Sequence, residues 1–316
     1  MTSKNTPPPT TLLEAVRYFS DLDGATAFVA KLRWPDGPVC PSCGHREHSY
    51  LTTRRLWKCK ACKRQFSVKV GTIFEDSKIG LDKWGPAVWL VANCKNGVSS
   101  HELGRSLGVC QKTAWFMLHR IRLAMRSGSF ERVAGEVEVD ETFIGGKARN
   151  MHKSKRAALR RGEARTGGQV DKTPVFGVLQ RAGTVQAAVI PDVSKAVLGF
   201  ELRDRVAKGS RVYSDSHGGY SGLRADYDHQ VVDHAERYVD GKVHTNGLEN
   251  FWSLLKRGLH GTYISVEPFH LHRYLDEQVF RYNARHDDDL GRVATVLGRV
   301  EGRRLTYKAL TAKAEG

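Results

Sequence analysis

Residues 136–144 read EVEVDETFI, and the fold class turns on that stretch. Valine alternates with charged residues at a period of two, the pattern of a half-buried strand. Val137 and Val139 fall on one face, Glu138 and Asp140 on the other, and Gly145-Gly146 ends the element. Glu141 points away from Asp140, so only one of that pair is expected to serve a common site.

Downstream, residues 147–172 carry nine Lys or Arg with three Gly and one Ser. They read both as a solvated insertion and as a basic arm able to follow a phosphate backbone through Lys153, Lys155, Arg156, Arg160 and Arg161. Pro174–Arg181 and Thr184–Pro191 read as strands joined by a tight turn at Ala182-Gly183, which completes a three-stranded antiparallel meander. A helix is expected over Ser194–Ala207, with Ser194 as its N-cap. Arg211–Ser214 is a short strand running into Asp215 and the turn Ser216-His217-Gly218-Gly219-Tyr220, and Gln230–Asp233 supplies a further strand. Residues 244–257, HTNGLENFWSLLKR, form a two-faced helix. Leu248, Phe251, Trp252, Leu255 and Leu259 make its apolar stripe, while Asn246, Glu249, Asn250, Ser253 and Lys256 make a polar one. Glu249 and Lys256 stand about 10 Å apart along the axis, a spacing for a metal ligand and a nearby phosphate contact, though a plain solvated face has the same pattern. A second helix follows from Pro268 to His286, then a charged, partly helical tail over 287–316.

Upstream, residues 1–10 are polar and proline-rich and are expected to be disordered. Residues 11–34 hold two short helices. Cys40, Cys43, Cys59 and Cys62 are spaced C-x2-C-x15-C-x2-C, the pattern of a closed four-thiolate zinc site, within a ribbon over 35–75. Arg54, Arg55, Lys58, Lys63 and Arg64 interleave with Trp57 and Phe66, a surface suited to phosphate contact. Residues 76–130 are helical. Ser99–Leu107, Gly108-Val109 and Cys110–Met125 have the shape of a helix-turn-helix, with Leu103, Leu107, Val109, Ala114, Met117 and Leu118 packing and Gln111, Lys112, His119 and Arg120 left polar.

Composition narrows the partners. The chain has 316 residues and a net charge of +16, which favours a polyanion. No membrane partner is expected, because the longest apolar run, Ala87–Ala92, is far too short to span. The first residues, MTSKNTPPPT, lack the apolar core of a secretion signal, and the cysteines are at metal spacing, so a reducing cytoplasm is expected.

Three acids stand at telling places: Asp140 on the first strand, Asp215 after the fourth, and Glu249 on a later helix. Two strand carboxylates and one from a packed helix can converge on two Mg²⁺ ions, the clamp used for in-line phosphoryl transfer. Glu138, Glu141, Asp226, Asp228, Asp233 and Asp240 remain as alternatives or surface charge.

RWPDGPVCPSCG (33–44), CKACKRQFSVKVGTIFEDSKIGLDKW (59–84), VDETFIGGK (139–147), VYSDSHGGY (212–220), HTNGLENFWSLLKRG (244–258) and LHRYLDEQVFRYNAR (271–285) together resemble an insertion-sequence transposase of the ISXO-like kind, one of the DDE transposases and integrases. The resemblance implies a ribonuclease-H-like α/β catalytic domain over 135–286, a mixed sheet flanked by helices, preceded by the zinc ribbon and the helix-turn-helix region. It implies that Asp140, Asp215 and Glu249 hold two Mg²⁺ (or Mn²⁺) ions, that Lys256 meets DNA phosphate, and that one Zn²⁺ is structural. Some relatives have asparagine as the third ligand, which keeps Asn246 and Asn250 open for that place. Terminal inverted repeats and target DNA are the implied partners, with a homodimer or larger assembly on DNA in the nucleoid of a prokaryote. Two rivals remain: a DNA-binding regulator without catalysis, and a ribonuclease-H-like nuclease that cuts without joining.

Overall fold

The computed structural model describes residues 7–127, 131–145, 153, 157, 161, 172–232 and 244–312. The expectations for residues 1–6, for Lys155, Arg156 and Arg160 of the basic arm, and for Asp233 and Asp240 lie outside the described residues. The chain divides into two units, Met1–Ser127 with Gly261–Tyr263 and Ala284–Gly316, and Gly128–His260 with Ile264–Asn283.

The first unit opens with α1 (Leu12–Ser20), started by a Thr11–Glu14 capping box, and α2 (Leu22–Arg33). Three short antiparallel strands follow in the order β1 (His48–Leu51), β2 (Leu56–Cys59), β3 (Gln65–Phe66). Trp57 and Phe66 do not join the basic surface. Both are buried against Trp34, with ring centroids 5.3 to 6.0 Å apart, because so small a ribbon needs its aromatics for a core.

Helices α3 (Leu81–Asn93), α4 (Ser100–Leu107) and α5 (Gln111–Met125) come next. A Ser99–Glu102 capping box starts α4, and Gly108, at φ 62° and ψ 45°, ends it in the left-handed conformation that turns the chain into α5. Leu103, Ala114, Met117 and Leu118 are buried, as the helix-turn-helix packing requires. The C-terminal tail belongs to this core. Its helix Asp289–Gly298 packs on α2, α3 and α5 and buries Val293, Val296 and Leu297.

The second unit is built on a five-stranded mixed sheet. β4 (Glu136–Ile144), β5 (Thr173–Gln180) and β6 (Val185–Val189) form the antiparallel meander, while β7 (Arg211–Asp215) and β8 (Asp228–Val232) are added parallel on the other side of β4. The spatial order is β6-β5-β4-β7-β8. One face, with Val137, Val139, Phe176, Val178 and Val212, is covered by α6 (Lys195–Arg205), whose N-cap is Ser194. Against β4 and β5 on the other lies α7 (Asn246–Gly258), and α8 (Leu271–Asn283) packs on β6. Leu248, Phe251, Trp252 and Leu255 of α7 are all buried, at about 1.5–3 kcal/mol each. Among the described residues no helix is long and apolar enough to cross a membrane.

Candidate active site and nucleic-acid interface

Register brings the first two acids together. β4 and β7 run parallel with Glu138 opposite Tyr213, so two residues further on Asp140 stands level with Asp215. Residues in register on parallel neighbours share a face. Asp140 is held at both oxygens: its Oδ2 accepts the indole Nε1–H of Trp252 at 2.9 Å, and its Oδ1 accepts the backbone N–H of Glu141 at 2.9 Å. Burial, then the charges of Glu141 and Asp215, push the Asp140 carboxyl up to about 7, against the pull of those two N–H donors. Asp215 accepts the His217 N–H at 3.0 Å, which fixes the turn after β7.

Glu249 and Lys256 come from α7. With Trp252 and Ser253 they occupy positions i, i+3, i+4 and i+7 on one side of the helix, and they line a concavity of about 480 Å³ together with Asp140, Glu141 and Thr142. Asn246 and Asn250 are exposed and do not line it. Asp215 opens instead on an adjoining cleft of about 290 Å³ with His217, Tyr220, Arg224 and His229. Among the described residues only the four cysteines, and no group of three carboxylates, have ligand atoms within 4.8 Å of one another.

Glu141 was expected to turn away from the site, and it does point to the other face of β4. It is nevertheless part of the neighbourhood. Its carboxylate accepts the Tyr220 hydroxyl at 2.5 Å and lies 3.6 Å from His217 Nδ1, and its pKa is raised by burial and by Asp215. At the end of β4, past its pairing with β7, both faces border the same opening, which period-two reasoning does not register. Glu138 is not a surface charge either. It is buried, with Arg181 Nε donating to Oε1 at 3.1 Å and the Leu248 N–H of α7 donating to Oε2 at 3.1 Å. Thr245 makes no side-chain cap to α7, so the strand carboxylate does that work. His244 lies beside Glu138 and Arg181, at 3.4 Å from the carboxylate.

The four cysteines converge. Cys40 Sγ is 3.7 Å from Cys62 Sγ, and Cys43 Sγ is 3.6 Å from Cys59 Sγ. A tetrahedron with Zn–S of about 2.3 Å has edges of about 3.8 Å, so the sulfurs already have the shape of a zinc site. Burial pushes the Cys40 thiol up, but the N–H groups of Ser42 and Cys43 and the neighbouring thiols outweigh it and bring it to about 7. At Cys43 the N–H of His45 lowers the pKa, and the other thiols with burial carry it to about 11. Only a cation lets all four ionise together.

The candidate phosphate contacts separate into two kinds. Arg54, Lys58, Lys63 and Arg64 are exposed on the ribbon, as are Gln111 and Lys112 at the start of α5 and Lys153 and Arg161 in the arm. Arg55 is half-buried and paired with Asp23 at 2.6 Å. Arg120 is a correction. It is buried, donating to the carbonyls of Leu305 (3.2 Å) and Glu75 (2.8 Å) and stacked 4.3 Å over Phe116. Its guanidinium is taken up by carbonyls of its own unit, which is a structural role and not the exposed phosphate contact expected of it. His119, also expected on the polar face, is buried.

Comparison with known proteins identifies the family. A family model described as ISXO2-like transposase domain matches residues 132–283, and one described as transposase zinc-ribbon domain matches residues 23–65. A protein of Halobacterium salinarum, described as an uncharacterized protein in transposable element ISH50, is 32% identical over 257 residues, 77% of this chain and 85% of its own length. The chain belongs to the ISXO2-like transposase family. An uncharacterized transposase-like protein of Haemophilus influenzae is 30% identical over 100 residues, 31% of this chain and 80% of its own length. Membership in the transposases implies DNA binding and nuclease or transposase activity, and the ribbon match takes in all four clustered cysteines, which supports a structural Zn²⁺.

Proposed function

We propose that this transposase binds the terminal inverted repeats of an insertion sequence, cuts phosphodiester bonds at the element ends, and joins the freed 3′ hydroxyls to target DNA. The observation that carries the reading is that Asp140 and Asp215 stand at the ends of adjacent parallel strands, near enough for the Asp215 charge to raise the Asp140 carboxyl, with Glu249 and Lys256 on the concavity that Asp140 lines. The build-up of negative charge around Asp140 fits a divalent cation, since a site that raises a carboxyl to about 7 on its own gains by neutralisation. Asp140, Asp215 and Glu249 would hold two Mg²⁺ or Mn²⁺ ions, which supply a low-pKa water and charge neutralisation at phosphorus.

The protein's own part is positioning. Glu138 and Trp252 fasten α7 to β4, which sets Glu249 and Lys256 against Asp140. The Lys256 ammonium meets a non-bridging oxygen of the scissile phosphate. In the first step water attacks phosphorus and the element's 3′ oxygen leaves. In the second that 3′ hydroxyl attacks target phosphorus in line and a target 3′ oxygen leaves. Arg54, Lys58, Lys63 and Arg64 on the ribbon and Gln111 and Lys112 on α5 contact the end sequence. Cutting two ends together calls for a homodimer or larger assembly on the DNA of a prokaryotic nucleoid.

The test is an oligonucleotide carrying the element end, incubated with supercoiled plasmid and Mg²⁺. Cleavage and strand-transfer products are expected, both absent with Asp140→Asn. Cleavage without joining would leave a nuclease, and binding without either product a regulator.

A further inference from the structure

We infer that Trp252 is a positioning residue for the cation site, its indole N–H fixing the Asp140 carboxylate in the orientation that leaves the remaining lone pairs open to a cation. This rests on the two-cation reading above. A buried indole needs some acceptor, and a core tryptophan satisfied by any nearby carboxylate is the plain alternative. Three observations point past it. First, the two oxygens of Asp140 are taken by two different donors, Trp252 Nε1 on Oδ2 and the Glu141 N–H on Oδ1, each at 2.9 Å, so the group cannot rotate freely. Second, the ring lies where a side chain would have to be given up. Gly177, the residue directly across from Asp140 on β5, has no Cβ, and one placed there would lie 2.6 Å from Trp252 Cζ2 and 2.7 Å from Cη2. Third, Trp252 lines the same concavity as Asp140, Glu249 and Lys256, so one helix supplies a site carboxylate, the ammonium and the donor that orients the strand carboxylate. Outer donors that orient a ligating carboxylate typically change metal affinity by about 10–100-fold when removed.

The readout is Mn²⁺ affinity, measured on the zinc-loaded full chain by electron paramagnetic resonance of free Mn²⁺, alongside thermal melting. Wild type is expected to bind Mn²⁺ and Asp140→Asn to lose it. Trp252→Phe keeps the ring and drops the N–H, and is expected to weaken Mn²⁺ about 10-fold or more. Gly177→Ala leaves the indole chemistry intact but displaces the ring, and is expected to weaken Mn²⁺ in the same direction. If Trp252→Phe does not fold, benzothienylalanine at position 252, which exchanges only the N–H for sulfur, carries the same measurement. Unchanged Mn²⁺ affinity in the folded N–H-less variant, whatever its melting temperature, overturns the inference. Mn²⁺ binding that survives Asp140→Asn overturns the underlying two-cation reading instead.

Discussion

The cysteine cluster and the carboxylate cluster are built on opposite principles. The four thiols come from two local knuckles, and their sulfurs stand at nearly the edge length of a zinc tetrahedron. The acids come from two strands and a helix, and Asp140 is held at a pKa of about 7 by burial and by Glu141 and Asp215. One cluster is closed, local and stabilising once zinc is bound. The other is open and assembled over long range, and the charges gathered around Asp140 would be relieved by the divalent cations proposed for it. On the proposed function the second site differs in that way because it must keep room for DNA.

Three measurements would break or sharpen the contrast. Removing zinc has the largest expected effect. Structural Zn²⁺ contributes on the order of 10–16 kcal/mol of apparent binding energy to domains of this size, so Cys59→Ser should lose one zinc per chain by atomic absorption and unfold the ribbon. Retained zinc and an unchanged proteolysis pattern would remove the cluster's structural role.

Next is the Asp140 carboxyl, whose direction is opposite. Its folded pKa lies above the ordinary 3.8, so the folded state holds the proton more tightly, and the stability this contributes is lost as pH rises from about 4 through about 7. At pH 8 without Mg²⁺ the strain amounts to at most about 4 kcal/mol, taking 1.36 kcal/mol per pH unit. Melting temperature in Mg²⁺-free buffer should therefore rise from pH 8 to pH 6, and Asp140→Asn should flatten that rise. A wild-type curve already flat over this range would mean that the acids are not strained.

The smallest effect distinguishes exposed cations from buried ones. Arg64→Ala should weaken binding to end DNA and lower the slope of log affinity against log salt by about 1. Arg120→Ala should instead lower the melting temperature, since it strips buried carbonyls of a charged donor. An Arg120 variant that melts normally and shows the reduced salt slope would return that residue to the DNA surface.

Much of this was legible in the chain. Each strand of the second unit lies within one or two residues of its expected place, since β-branched alternation and turn chemistry are local signals: β5 runs Thr173–Gln180 against an expected Pro174–Arg181. Likewise Ser194 is the N-cap expected of it, while Ser99, read as the first residue of its helix, caps that helix instead. Burial decided by distant segments was less legible. Arg120 and His119 look solvent-facing on a helical wheel of α5 alone, and the C-terminal tail looks too charged to pack, although it supplies Val293, Val296 and Leu297 to a core. Glu138 reads as a strand's outward charge until Arg181 and the start of α7 are set against it.

Local pattern was enough for the cysteine spacing, the order of strands and helices, and the two faces of α7, because each depends on neighbours a few residues apart. Tertiary structure alone decided that Asp215 stands near enough to Asp140 to raise its carboxyl, that Glu141 stays within reach of both, and that Trp252 has room over Gly177. Those facts depend on the register between strands, and pairing energy is spread over the whole sheet and written at no single residue.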